Sequence, residues 1–136
     1  MPQLFESMFL SELAADTHPG EIGDIVRVSR ANNAEAGLTG LMMFDGSLFC
    51  QNVEGQERHV RDMIARIARD PRHTAFLPLH HGPATGVRRF DNWHIGILAP
   101  SGPSPLLAFR SLRGNDAIGH LLAIFRDSEK FGIHVI

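Results

Sequence analysis

The sequence predicts an α+β fold of ferredoxin-like order, β-α-β-β-α-β-β, with two helices on one face of the sheet and C-terminal helices on the other. Three observations carry this. Two stretches place apolar residues three and four apart, as one face of an amphipathic helix requires. Between them lie two strand-length apolar runs separated by Asp45-Gly46, a strong hairpin signal. Short apolar runs bounded by proline and glycine precede and follow the helical stretches.

Residues 4–11 mix Leu4, Phe5, Met8, Phe9 and Leu10 with polar side chains, and Asp16, Pro19 and Gly20 follow. The run is too short for a helix and reads as a strand. Thr17-His18-Pro19-Gly20-Glu21 combines a capping hydroxyl with a proline tolerated in a first helical turn. Ile22, Ile25, Val26 and Ser29 then mark a helix to about Ala34, ending before Gly37. Residues 38–44 and 47–53 form the hairpin, whose two-residue turn requires positive φ at both Asp45 and Gly46. Glu54-Gly55 is expected to break its second strand. Val60, Met63, Ile64 and Ile67 stripe a second helix, with Arg58, Arg61, Asp62, Arg66 and Arg69 on its wet side. Asp70-Pro71 stops it, because the residue before proline is driven out of the helical region. Residues 76–80 read as a strand whose Pro78 demands an edge position. After a loop at 82–86, residues 90–98 give the last strand, with Trp93, Ile95 and Ile97 on one side and His94 and Gly96 on the other. Residues 100–105 are a linker by composition. Leu106, Leu107, Phe109 and Leu112, then Ile118, Leu121, Leu122, Ile124 and Phe125, read as two short amphipathic helices that cover the open sheet face or pair with another copy of the chain. The expected division is thus a domain over 1–99 and a linker with two helices over 100–136.

The chain has 136 residues, 13 Lys and Arg against 15 Asp and Glu, and 43% hydrophobic residues. That length supports one core without disulfide or metal staples, and the balanced charge argues against disorder. A net charge of −2 lacks the footprint of a direct nucleic-acid binder. No apolar run approaches the roughly 18–20 residues that span a bilayer. Residues 1–6 lack the features of a secretory signal, and the single Cys50 suits a reducing cytoplasm. A cytoplasmic domain without membrane contact is expected. Nine Phe and one Trp carry all the aromatic bulk, because the chain has no tyrosine.

Most chemical motifs are absent. Eight histidines invite a metal reading, but no His-x-x-x-His pair sits on an expected helix with an acidic partner. His80 and His81 are adjacent, so on a strand they point to opposite faces. No metal is expected. No Gly-x-Ser-x-Gly elbow or phosphate loop appears, and Cys50, inside a strand, reads as a buried inert thiol. The chain is therefore not expected to be an enzyme. More telling are polar residues where apolar ones belong. Gln51 and Asn52 interrupt a central strand, and Asn32-Asn33 follows Ser29-Arg30 in the last helical turn. Amides offer both donors and acceptors and suit the edge of a flat heterocycle, although Asn32 and Asn33 could simply close the helix.

These residues carry a resemblance. Ser29-Arg30-Ala31-Asn32-Asn33, Gly37-Leu38-Thr39-Gly40-Leu41, Phe49-Cys50-Gln51-Asn52-Val53-Glu54-Gly55, the stretch from Arg66 to His73, and Arg88-Arg89-Phe90-Asp91-Asn92-Trp93 resemble the BLUF domains, sensors of blue light using FAD. The likeness covers about residues 4–98 with compatible spacing throughout. It implies the ferredoxin-like fold and an FAD whose flavin ring lies between the two helices. By position, it implies that Asn33 bonds the carbonyl edge of the ring with Asn32 beside it, and that Ile25 and Ile67 sandwich it. Arg30, Arg72 and His73 would lie near its polar edge or its tail. Gln51 would be the amide that rearranges on illumination, and Trp93 would stand in the strand that relays the signal.

The sequence departs from the family at three places. Phe9 stands where the family has a tyrosine that donates an electron and proton and orients the glutamine. Ile95 stands where a methionine is usual, and Asn52 replaces an apolar strand residue. The expected function is a flavin-binding, photoreceptor-type regulatory domain that has lost the tyrosine-dependent photocycle. It would act by protein–protein association, as a homo-oligomer or with a downstream protein partner. The alternative is a flavin-free interaction or dimerisation module on the same fold.

Overall fold

In the computed structural model, which describes residues 3–18, 20–84, 86–99, 102–128 and 133–135, the chain orders as β1 (Leu4–Leu13), α1 (Glu21–Glu35), β2 (Thr39–Phe44), β3 (Leu48–Gln56), α2 (Glu57–Arg69), β4 (His73–Pro83), β5 (Trp93–Leu98), a 3₁₀ helix (Pro105–Ser111), α3 (Gly114–Arg126) and β6 (Ile133–Val135). The six strands form one sheet in the order β4-β1-β3-β2-β5-β6. Its first four are the ferredoxin-like set. β5 joins β2 in parallel and β6 joins β5 antiparallel.

The two faces bury different halves of the alternating strand pattern. Phe5, Met42, Phe49, Val53, Trp93 and Ile95 pack beneath Ile25 of α1 and Val60 and Met63 of α2. Met8, Leu10, Leu41, Met43 and Cys50 face the other way, against Leu106, Phe109, Ile118, Leu121 and Ile124. The C-terminal helices thus cover the second face of the sheet.

Several boundaries differ from the sequence reading, for local reasons. β3 runs through Glu54-Gly55 to Gln56 and passes directly into α2. A Cβ at Gly55 would come within 2.6 Å of Leu38 Cδ2, so any larger residue there makes the Leu38 side chain shift. The hairpin turn has positive φ at Gly46 alone. Asp45 instead accepts from the Ser47 and Leu48 amides through its carboxylate (2.9 and 2.6 Å). Thr17 does not cap α1: Gly20 precedes the helix, and the Glu21 carboxylate reaches back to the His18 amide (2.9 Å). α1 ends with Gly37 at φ 71°, where the Gly37 and Leu38 amides donate to the Ala34 and Asn33 carbonyls. Asn32 and Asn33 therefore are not needed as side-chain closers. β4 extends well beyond 76–80 at the sheet edge its proline required, whereas β5 starts only at Trp93. The first C-terminal helix is 3₁₀, and β6 has no counterpart in the sequence reading. Pro19, Thr85 and the linker's first residues, Pro100 and Ser101, lie outside the described residues. Among the described residues, no helix is long and apolar enough to cross a membrane.

Candidate functional site

A cavity of about 230 Å³ opens between α1 and α2 over the middle of the sheet. Ile25 and Val28 of α1, Met42 of β2, and Met63 and Ile67 of α2 give it apolar walls. Ser29, Asn32 and Asn33 of α1 and Gln51 of β3 line it with amides and a hydroxyl. Arg66, Asp70, Arg72 and His73, from the end of α2 and the turn into β4, complete it with charged and titratable groups.

Helical spacing explains the α1 contribution. Ile25, Ser29 and Asn32-Asn33 recur at three and four residues and so share one face. Asn33 is buried, and its Nδ2 donates to Ser29 Oγ at 3.3 Å. Gln51 is 2% exposed, and its Oε1 is buried without a hydrogen-bond partner. A buried carbonyl left unpaired costs about 1–3 kcal/mol, so this oxygen is an acceptor awaiting a donor.

At the charged end, Arg72 is committed. Its Nε and Nη2 donate to the Asp70 carboxylate at 2.8–3.2 Å, and its Nη1 to Asp24 Oδ2 at 3.5 Å. The guanidinium hydrogen bonds hold the Asp70 carboxyl below its ordinary value and raise Arg72 in turn. His73 is buried against Phe49, with Nδ1 3.0 Å from Ser11 Oγ. Burial pushes its imidazole down, offset in part by Asp70, so the neutral form is favoured.

Of the residues singled out from sequence, Ile25, Asn32, Asn33, Gln51, Ile67, Arg72 and His73 meet in this cavity. Arg30 does not: it is exposed on α1 and absent from the lining. Phe9, Gln51, Met42 and Ile95 are register partners across β1, β3, β2 and β5 and form one row on the cavity face. Phe9 is buried and stacked on Phe76 at 4.8 Å between ring centroids. Trp93, one step along β5, is 5% exposed with its Nε1 buried and unpaired. Asn52 faces away from the cavity. Its Nδ2 donates to Glu6 Oε2 (3.2 Å), which also accepts from Arg89 Nε (2.8 Å).

The sequence reading missed Val28, Met42, Met63, Arg66 and Asp70 as lining residues. The apolar ones carry no signal distinct from core. In sequence Asp70 reads only as a helix stop, although an aspartate two residues before an arginine at a helix end is well spaced for the pair they form. Cys50 is a buried thiol whose burial raises it beyond reach of ionisation, and among the described residues no cluster of three metal-ligating groups exists.

An unpaired amide oxygen and a second amide between two aliphatic walls fit a flat ring with polar edges. The structure superposes on BlrB, a BLUF protein in its dark state, with a TM-score of 0.75 at 27% identity, covering 94% of this chain and 98% of that one. A bacterial light-regulated adenylyl cyclase matches at TM-score 0.64 and 26% identity over 93% of this chain and 35% of that one. The photoactivated adenylate cyclase subunit beta of Euglena gracilis is 33% identical over 91 residues, 63% of this chain and 10% of that protein. Its subunit alpha is 32% identical over 98 residues, 68% of this chain and 9% of that protein. The chain thus spans about a tenth of the length of these curated relatives. The family of sensors of blue light using FAD matches residues 4–96, and the chain belongs to this family, the BLUF domains.

Proposed function

We propose that this chain binds the flavin of FAD in the α1–α2 cavity and acts as a regulatory domain whose tyrosine-dependent light response is lost. The observation that carries the reading is the buried, unpaired Gln51 Oε1 beside Asn33 in a cavity walled by Ile25 and Ile67. At about 230 Å³ the cavity is smaller than the roughly 300–1,000 Å³ of drug-sized sites, so it suits the ring and leaves the tail at the mouth.

Bound there, flavin would supply blue absorption and an excited-state electron acceptor. The chain's own groups do the rest. Asn33 and Gln51 hold the polar edges, the aliphatic walls exclude water, and neutral His73 offers a ring nitrogen near the charged end. Phe9 packs against Phe76 and presents no O–H, so β1 supplies neither a proton nor a hydrogen bond to fix the Gln51 amide. Ile95, in the same row, offers no acceptor either. The domain then works by association, with a second copy or a downstream protein, rather than by catalysis.

The test is the absorption spectrum of the purified chain, before and after added FAD and before and after blue light. The expected result is the blue band of oxidised flavin and no reversible red shift. Phe9→Tyr combined with Ile95→Met is expected to gain that shift. Protein that stays colourless with excess FAD would refute the flavin reading in favour of a flavin-free interaction module. A reversible red shift in the unaltered chain would refute the loss of response.

A further inference from the structure

Resting on the proposed flavin site, we infer that Met42 and Met63 are sites of light-driven oxidation, their thioethers converted to sulfoxides by dioxygen when flavin in the cavity absorbs blue light. The chain has five methionines. Among the described residues are Met8, Met42, Met43 and Met63, and each is at most 3% exposed. The two faces of the sheet divide them. Met8 and Met43 belong to the core beneath the C-terminal helices. Met42 and Met63 belong to the opposite core and line the α1–α2 cavity. Met42 stands in register with Gln51 on one side and Ile95 on the other, and Met63 comes from α2. Met42 and Met43 are thus sequence neighbours, equally buried, of which only Met42 meets the cavity. As core filler, either cavity methionine could be leucine at little cost, and that role predicts no chemistry.

The chemistry follows from position 9. A phenol there would give an electron to illuminated flavin and so quench it. Phe9, in register with Gln51, has no O–H and is a poor electron donor. Excitation that is not quenched in this way passes to dioxygen, which is small and uncharged and enters an apolar cavity. Methionine sulfur is polarizable and readily oxidised, which makes it the target. The sulfur gives two electrons to dioxygen, one water supplies the oxygen of the new S–O bond and two protons, and hydrogen peroxide leaves. The product is a polar group in an apolar wall. With its oxygen unpaired against the ring, it should weaken FAD binding about tenfold.

The experiment loads the full chain with FAD, removes the unbound excess, and illuminates it with blue light in air. Tandem mass spectrometry then maps which methionines have gained one oxygen atom. Dark samples, argon-flushed samples and Phe9→Tyr are treated alongside. Sulfoxide is expected at Met42 and Met63, with Met8 and Met43 as in the dark. It should be absent without light or dioxygen and much reduced in Phe9→Tyr. Loaded chain that gains no oxygen at Met42 or Met63, equal oxidation of all four methionines, or undiminished oxidation in Phe9→Tyr overturns the inference alone. A chain that retains no FAD overturns the flavin site and the inference with it.

Discussion

Glu54 is the side chain on which the approach to β5 depends, and replacing it with alanine should be among the most damaging single changes. The carboxylate is fully buried. Its Oε1 accepts from the Phe90 amide (2.8 Å) and Thr39 Oγ1 (2.9 Å), and its Oε2 from the Arg89 amide (2.9 Å). Glu54→Ala strands all three donors. The Phe90 N–H is the deeply buried one and bears the full penalty for an unpaired donor, about 2–3 kcal/mol. The other two are partly reachable by water and bear about 1 kcal/mol or less each. The sum, about 3–5 kcal/mol, is a large share of the 5–15 kcal/mol of a typical domain and lowers Tm by roughly 10–20 °C. Glu6→Ala gives an instructive contrast. Glu6 is equally buried, but its loss strands only one buried donor, Asn52 Nδ2, because its other partner, the Arg89 guanidinium, is 34% exposed and can turn to water. Its loss should cost less, about 1–3 kcal/mol. Urea unfolding followed by circular dichroism gives both values, and emission of the single tryptophan, Trp93, reports release of the 89–92 segment that precedes it. Glu54→Ala within 1 kcal/mol of native stability, or Glu6→Ala costing more than Glu54→Ala, would refute the reasoning.

Gly40→Ala should disrupt the β2 register, since a Cβ there would sit 2.0 Å from the Asn52 carbonyl oxygen and 2.9 Å from Trp93 Cζ3; soluble yield and Trp93 emission check it. Gln51→Leu should move stability and binding in opposite directions. Removing an unpaired buried carbonyl raises the unfolding free energy of the flavin-free chain, read from its urea curve, by about 1 kcal/mol or more, while FAD titration shows weaker binding, and a lowered value would mean that the oxygen is paired. For pH, burial holds His73 below its ordinary 6.5, so the unfolded chain takes up a proton that the native state resists. The stability due to this site is full above 6.5 and falls as pH drops toward the depressed native value. His81 shifts in the same direction, so the measurement is the difference in unfolding free energy between native and His73→Gln, expected to be constant above 6.5 and to move against the native chain as pH falls below it. Asp70, held low by Arg72, acts in a separate window, with its contribution lost only below about 3.8.

Local chemistry made most of the fold legible. Proline at 71 ended α2 where expected, Pro78 required the sheet edge and received it, and the two apolar stripes chose the faces of α1 and α2. What escaped depends on contacts distant in sequence. Glu54-Gly55 resembles a break because charge and glycine both disfavour strands. Yet the carboxylate is satisfied by amides 35 and 36 residues away, and the glycine makes room for Leu38. Much the same applies to the site. The amides could be found because amides are out of place in a core, and the aliphatic walls were found only through resemblance. Arg72 is neutralised by Asp70, two residues away, a pairing the local sequence allows, and by Asp24 on another helix, a contact the sequence does not reveal.

Gln51 and Asn52 carry the argument for the proposed separation of pocket from light response. Adjacent strand residues point to opposite faces, so one amide opens into the cavity while the other joins Glu6 and Arg89 behind the sheet. Each has a buried carbonyl oxygen without a partner. Asn52 is nevertheless oriented, because its nitrogen donates to a carboxylate that can only accept. Gln51 has no such partner: Phe9, its register neighbour on β1, and Met42, its neighbour on β2, present only a ring and a thioether. A hydroxyl at position 9 could distinguish the nitrogen of that amide from its oxygen and so give its two orientations different energies. A benzene ring fills nearly the same volume and leaves the walls and the Asn33 edge intact. It removes the group able to hold one orientation over the other, which is the physical ground of the proposed loss of the light response.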